Sequence, residues 1–321
     1  MIDRKVPLVS VVIPCYKQAR FLPETLESVL AQSHAAIEPV VVDDGSPDNT
    51  SQIAARYSVV RCIRQENRGI SEARNAGLRA SRGDYLIFLD ADDRLTPVAV
   101  EAHLACFARH PEAGFVVGDI DHITVDGAYR SSPRWPILHS EHYQELLKLN
   151  HVANTVAVMF RSSAFQNVGG FERFFEPAED YELLLRFSRA FPSAHHRTVV
   201  AQYRRHAANA SRSGVVMLRA THRVMQSQEA FVKGNCALET ALRRGKNYWR
   251  EHYGAVTIKE VLALLARGKV SRAMHALSVL VYHVRGRLAL LPWKYRRELL
   301  ASFKRPFTAR LESRQAETKT E

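Results

Sequence analysis

Cysteine is scarce. Cys15, Cys62, Cys106 and Cys236 lie far apart and form no C-x-x-C pair, which excludes a disulfide framework and a zinc knuckle and suits a reducing compartment. Glycine and proline, with 15 and 13 residues, are too few for a collagen-like or low-complexity chain. No internal repeat is present. Long apolar runs are also missing: the least polar window of membrane length, Ala273 to Pro292, contains His275, His283, Arg285 and Arg287, so no ordinary membrane-spanning helix is expected. The apolar stretch near the amino terminus ends in Pro14 and polar residues, without a small-residue cleavage site, and reads as a first strand rather than a signal peptide.

What is present is material for a large core. The 321 residues, 46% hydrophobic and 24% charged, suit about two domains or one domain with an appendage. The net charge of +12 is unevenly spread. Residues 216–321 hold 21 lysines and arginines against eight glutamates and no aspartate, whereas residues 1–215 are close to neutral, with 24 basic against 25 acidic residues. The two parts are expected to do different jobs.

In the first hundred residues apolar, β-rich runs alternate with helical periodicity. Strands are expected at Leu8–Ile13, Glu38–Val42, Val59–Arg64 and Tyr85–Leu89, and helices at Pro23–Gln32, Ser51–Tyr57, Ser71–Ala80 and after Thr96-Pro97. That order predicts a mainly parallel sheet covered by helices, with ligands beyond the carboxyl ends of the strands. From residue 112 to 178 the pattern is less regular, with strands expected at Gly114–Gly118 and Thr155–Phe160. A helix begins near Pro177, carrying Glu179-Asp180 in its first turn, a strand follows at Thr198–Tyr203, and the remainder reads as helical.

Three polar clusters fall at strand ends and so at one edge of the sheet: Pro14-Cys15-Tyr16, Asp43-Asp44-Gly45-Ser46 and Asp90-Ala91-Asp92-Asp93. Clustered carboxylates repel unless a cation neutralises them, and Mg²⁺ or Mn²⁺ is commonly held by one or two carboxylates plus substrate phosphate. The competing reading of Asp90–Asp93 is a turn capping the next helix. Asp44 is able to accept hydrogen bonds from a nucleobase or ribose, or simply to make a turn. Tyr16 is suited to stack on a base, and Arg74 to reach phosphate, against readings as packing and as a solvated helix face. Asp180 at a helix start is expected from the macrodipole alone, and His206 is one of 14 histidines.

Taken together, Val11-Val12-Ile13-Pro14-Cys15-Tyr16-Lys17, Val42-Asp43-Asp44-Gly45-Ser46, Ala73-Arg74-Asn75-Ala76-Gly77, Leu89-Asp90-Ala91-Asp92-Asp93 and Glu179-Asp180-Tyr181-Glu182-Leu183 closely resemble glycosyltransferase family 2 over residues 8 to 210. The resemblance implies a GT-A fold, a nucleotide-diphosphate sugar donor (a UDP-sugar by family habit), a divalent Mg²⁺ or Mn²⁺ and inversion at the anomeric carbon. It implies that Pro14, Tyr16, Asp44, Arg74, Asp90 and Asp92 bind the nucleotide sugar. Asp92, with Asp90 and a contribution from His206, would hold the metal, and Asp180 would act as the catalytic base.

The expected organisation is a GT-A catalytic domain over residues 1–215, its nucleotide-binding half about 8–110 and its acceptor half about 111–210, followed by a basic helical extension over 216–321. The expected role is synthesis of a bacterial-type cell-surface polysaccharide or glycolipid, on a saccharide or lipid-linked saccharide acceptor. A cytoplasmic location follows, peripheral at the inner face of the membrane if the basic extension meets anionic lipid. Two other classes stand beside this reading. A metal-dependent phosphoryl-transfer enzyme also uses D-x-D at a strand end, although Arg94 departs from the phosphatase pattern D-x-D-x-[T/V]. A noncatalytic basic membrane-binding module would work through the extension alone. No nucleic-acid-binding signature is present.

Overall fold

The computed structural model describes residues 6–134, 141–152, 154–206 and 213–284. Residues 285–321, and with them the end of the apolar window at Pro292 and the last stretch of the basic extension, lie outside the described residues.

The first half runs β1 (Val9–Cys15), α1 (Leu22–Leu30), β2 (Ile37–Asp43), α2 (Thr50–Ala54), β3 (Arg61–Arg64), α3 (Ile70–Ala80), β4 (Tyr85–Phe88), β5 (Arg94–Leu95) and α4 (Ala99–Arg109). Then come β6 (Phe115–Ile123), β7 (Tyr129–Ser131), α5 (His142–Lys148), β8 (Val158–Arg161), α6 (Phe165–Val168), α7 (Glu179–Ala190) and β9 (Ser193–Arg204). Four helices follow: α8 (Gly214–Ser227), α9 (Glu229–Val232), α10 (Cys236–Ala266) and α11 (Val270–Val284). Among the described residues no helix is long and apolar enough to cross a membrane.

The strands form one sheet in the order β3-β2-β1-β4-β8-β6-β9-β5, with β7 paired to β6. From β3 to β4 it is parallel, as expected. Beyond β4 it becomes mixed, because β8 enters antiparallel to both β4 and β6. All seven residues of β1 are buried, the mark of a strand covered on both faces. The chain winds outward from β1 to β3 and then crosses back to β4 on the other side. The carboxyl ends of β1 and β4 therefore flank the switch point where open α/β sheets hold ligands.

Between 112 and 178 the structure departs from the expected pattern at several elements, with β7, α5 and α6 all additional to it. Residues 155–157 form a 3₁₀ turn, closed by the bond from the Ala157 amide to the Asn154 carbonyl, and the ladder begins only where Val158 pairs with Val117. The helix α5 was not expected at all. It is covered by α10, whose Gly245 lies so close that a Cβ there would meet the Leu147 carbonyl oxygen at 1.9 Å. One continuous hydrophobic core runs from β1 through the sheet to α8, α10 and α11.

Candidate functional site

The acidic loop after β4 is fixed from behind. Thr25, on the buried face of α1, donates its hydroxyl to the carbonyls of Ala91 and Asp93, both at 2.8 Å. The Asp93 amide closes a turn on the Asp90 carbonyl at 3.0 Å. Asp93 itself is wholly buried and accepts from the Arg204 backbone amide at 2.7 Å, so it serves the loop rather than the cleft. The buried Arg204 side chain completes the support by donating to the Asp92 carbonyl at 2.7 Å and to Glu24 at 2.5 Å.

The loop thereby turns Asp90 and Asp92 outward. They border a cleft of about 570 Å³, within the range of small-molecule sites. Pro14 and Tyr16 line it from the end of β1, Arg74 from α3, Asp180 from the start of α7 and His206 from just beyond β9. Seven of the eight residues expected at the site thus meet in one cavity.

The eighth, Asp44, does not line the cleft. It is buried, and its carboxylate accepts from the Gln65 side chain at 2.7 Å and from the backbone amides of Arg68 and Gly69 at 2.9 and 3.0 Å. Those bonds hold the loop leading into α3, where Gly69 takes a left-handed φ of +92° as the residue before the helix. In this structure Asp44 shapes the approach of α3, and so of Arg74.

Arg74 is the electrostatic centre. Its guanidinium donates to Glu179 at 2.5 Å and to Asp90 at 2.8 Å while nearly inaccessible to solvent. Burial disfavours its charge, yet Asp90, Glu179 and Asp180 together raise its pKa above the ordinary arginine value. Glu179 was not among the expected site residues, because an acidic residue in a first helical turn is unremarkable in sequence. Burial pushes its carboxyl up to about 7 against the opposing pull of Arg74, and its second oxygen has no hydrogen-bond partner.

Burial also raises Asp180, with Arg74 opposing and Asp90 assisting. Burial and the Asp90 charge raise Asp92, against the stabilising contact from His206 Nε2 to Asp92 Oδ2 at 2.6 Å. The cleft therefore carries more carboxylate than its own cations comfortably neutralise. Among the described residues no three acidic, histidine or cysteine side chains converge as a self-sufficient metal cage. The hard oxygen donors of Asp90 and Asp92, 27% and 13% exposed, suit a cation that takes its remaining ligands from phosphate and water.

A second group of lining residues comes from the helical carboxyl-terminal part: Met217 and Thr221 from α8, and Tyr248, Trp249, His252 and Tyr253 from α10. Nothing local in the sequence marks them as site residues. Their spacing on α10 is the only signal, and it reads equally as packing.

A sheet with its acidic loop at the switch point, opening on a cleft closed by a late helix, is the architecture of a GT-A glycosyltransferase. A mannosyltransferase of Pyrobaculum calidifontis in complex with GDP-Man and Mn²⁺ has the same fold, with a TM-score of 0.59 at 17% identity over 93% of this chain and 81% of that one. TarS 1–349 of S. aureus in complex with UDP-GlcNAc matches with a TM-score of 0.56 at 17% identity, over 91% of this chain and 92% of that one. In sequence, the chain is 34% identical over 197 residues to the chondroitin synthase of Escherichia coli, a stretch covering 60% of this chain but only 28% of that protein. Residues 10–169 match the model for glycosyl transferase family 2, and the chain belongs to that family.

Proposed function

We propose that the protein transfers a sugar, with inversion, from a UDP-sugar to a hydroxyl of a saccharide or lipid-linked saccharide acceptor in the synthesis of a cell-surface polysaccharide or glycolipid. The observation that carries this reading is the meeting in one cleft of Asp90 and Asp92, from the loop after β4, with Asp180 from α7, Arg74 joining Asp90 to Glu179, the residue before Asp180. The relatives support the chemical class: the chondroitin synthase is named for a polysaccharide, and TarS was crystallised with UDP-GlcNAc.

Pro14 and Tyr16, at the end of β1, bind the nucleoside end of the donor. Asp90 and Asp92 face its diphosphate, and a Mg²⁺ or Mn²⁺ held by Asp92 with Asp90 and His206 would supply charge neutralisation there. Arg74 orients Asp90 and adds a fixed positive charge near the departing diphosphate, where charge grows in the transition state. Asp180 accepts the proton of the attacking hydroxyl. Its burial raises its pKa and with it its basicity once ionised, while Arg74 keeps ionisation accessible. Attack from the face opposite the leaving group inverts the anomeric centre in one displacement.

Residues 8–110 serve the donor and 111–210, with α8 and α10, the acceptor. The basic extension places the enzyme against the anionic inner face of the membrane, a reading supported by its +13 excess. The phosphoryl-transfer alternative gains nothing from the fold: Arg94, which breaks the phosphatase pattern, is paired with Glu24 outside the cleft.

A panel of nucleotide sugars, each with Mg²⁺ and with Mn²⁺, tests the proposal. One UDP-sugar should raise the melting temperature in a metal-dependent way and release UDP on turnover. Stabilisation by none of the panel would remove the donor assignment.

A further inference from the structure

The wall of the cleft on the side of Asp180 is built largely from one stretch of α10. Tyr248 stacks on His252, ring centroids 5.7 Å apart and planes within 10°, and Trp249 stacks on Tyr253 at 5.5 Å and 13°. Both pairs follow from i,i+4 spacing on a helix. The two columns meet edge to face, Tyr248 with Trp249 at 4.9 Å and 78°, and His252 with Tyr253 at 4.8 Å and 82°.

This block is registered against the base. Tyr181, the residue after Asp180, contacts Trp249 edge-on at 5.7 Å and is tied by its hydroxyl to the Leu146 carbonyl at 2.6 Å. Burial, and then the charge of Asp180, push the Tyr253 phenol up, so the carboxylate lies within electrostatic reach of the block. Core packing accounts for Tyr253, which is buried. It does not account for Tyr248, 39% exposed, or for the exposed His252, both of which border a polar cleft.

A pyranose ring offers a flat face of C–H groups and a rim of hydroxyls. The face fits an aromatic surface, and the rim needs polar neighbours of the kind Asn150, Asn154 and Arg205 present around the same cleft. A lipid chain would have no use for that rim, and the nucleotide has its own place at the ends of β1 and β4. We propose that the Tyr248–His252 face of α10 is the acceptor subsite, binding a hexopyranose by its C–H face so that a ring hydroxyl reaches Asp180. The proposal rests on the glycosyl-transfer reading and adds to it the place in the cleft where the acceptor sugar sits and the face by which it is held.

Saturation-transfer NMR on the full chain with UDP and Mg²⁺ tests it, with methyl β-glucopyranoside, N-acetylgalactosamine and the disaccharide chitobiose as probes. At least one sugar should receive saturation, strongest on the C–H protons of one face. Tyr248→Ala and His252→Ala should cut that signal at least about fivefold, Tyr248→Phe should keep it, and UDP affinity by calorimetry should stay within about twofold in all three. Equal signals in the alanine variants, or displacement of the sugar by UDP, would overturn the proposal. So would silence from all probes while UDP binds. Failure of UDP to bind the wild-type protein would instead bring down the transferase reading, and the acceptor subsite with it.

Discussion

Arg74 on α3 and Glu179 on α7 are 105 residues apart in the chain and 2.5 Å apart in space, and the other arm of the same guanidinium holds Asp90 at 2.8 Å. A planar fork spans the two carboxylates as a compact ammonium cannot. The acidic loop and the start of the helix that carries Asp180 are thereby set at a fixed separation by a single side chain.

Arg74→Lys is expected to keep the positive charge and lose one of the two contacts. Turnover should fall by roughly 10- to 100-fold, with a smaller change in UDP affinity, because misplacement of reacting groups costs rate more than binding. Steady-state kinetics with UDP release as the readout checks this, and an unchanged kcat would show that the fork is dispensable.

Asp180→Asn should bind UDP as the wild type does and lose at least about 100-fold in turnover, since an amide preserves shape but accepts no proton. Activity within about threefold of wild type would pass the role of base to Glu179, whose carboxyl stands at about 7.

Asp92→Asn should weaken metal-dependent binding of a UDP-sugar about as much as a chelator does, with no additive loss when the two are combined. Asp93→Asn should instead act on folding, because Asp93 faces the Arg204 amide and not the cleft. Titration calorimetry separates the two variants, and additive losses from chelator and Asp92→Asn would move the metal elsewhere.

Acid should destabilise the fold through its buried histidines. Burial holds His103 well below its ordinary value, and lowers His151 and His196 to about 4 and His195 to about 3. An unfolded chain protonates these rings near pH 6.5, so between about 6.5 and 4 the unfolded state binds more protons and stability falls as pH falls. Each fully buried ring contributes about 1.4 kcal/mol per pH unit in that window. Urea midpoints measured from pH 7.5 down to 4.5 should lose less with falling pH in His103→Gln than in the wild type, and the difference isolates the histidine contribution from the raised carboxyls of Glu179 and Asp180, which act in the opposite direction.

The parts of this architecture legible in the sequence were those written locally. The runs Val11–Ile13, Val40–Val42 and Leu86–Leu89 are apolar on both faces, and each ends abruptly in proline or aspartate, so the parallel half of the sheet and its polar edge could be read directly. The two-residue β5, the antiparallel entry of β8 and α5 could not. Arg94–Leu95 is a strand only because β9 lies beside it, and α5 rests on a helix about a hundred residues later. Asp-Gly-Ser after a strand fits a ligand-binding role and a turn equally; what the sequence could not show is that the Asp44 carboxylate is bonded to residues 65, 68 and 69. The α10 aromatics were invisible as site residues for the same reason, since i,i+4 spacing does not say what stands opposite.

Gly245→Ala offers a test of how firmly that late helix is seated. With its Cβ placed 1.9 Å from a backbone oxygen, α10 would have to shift, at a cost of roughly 1–3 kcal/mol. The variant should lower the melting temperature and disturb Tyr248 and Trp249 together, a change readable in near-ultraviolet circular dichroism.

The hydrogen bond from the Arg204 backbone amide to the Asp93 carboxylate spans 111 residues and sets a schedule for biosynthesis. Residues 90–93 leave the ribosome long before β9, and until that strand docks the loop has Thr25 and Arg74 to hold it but not Arg204. The acidic loop is thus made early but fully supported late, after more than a hundred further residues have been added. A growing chain passes about a third of its synthesis between these aspartates and the strand that buries Asp93, and α10 must still be added after that strand before the cleft has its second wall.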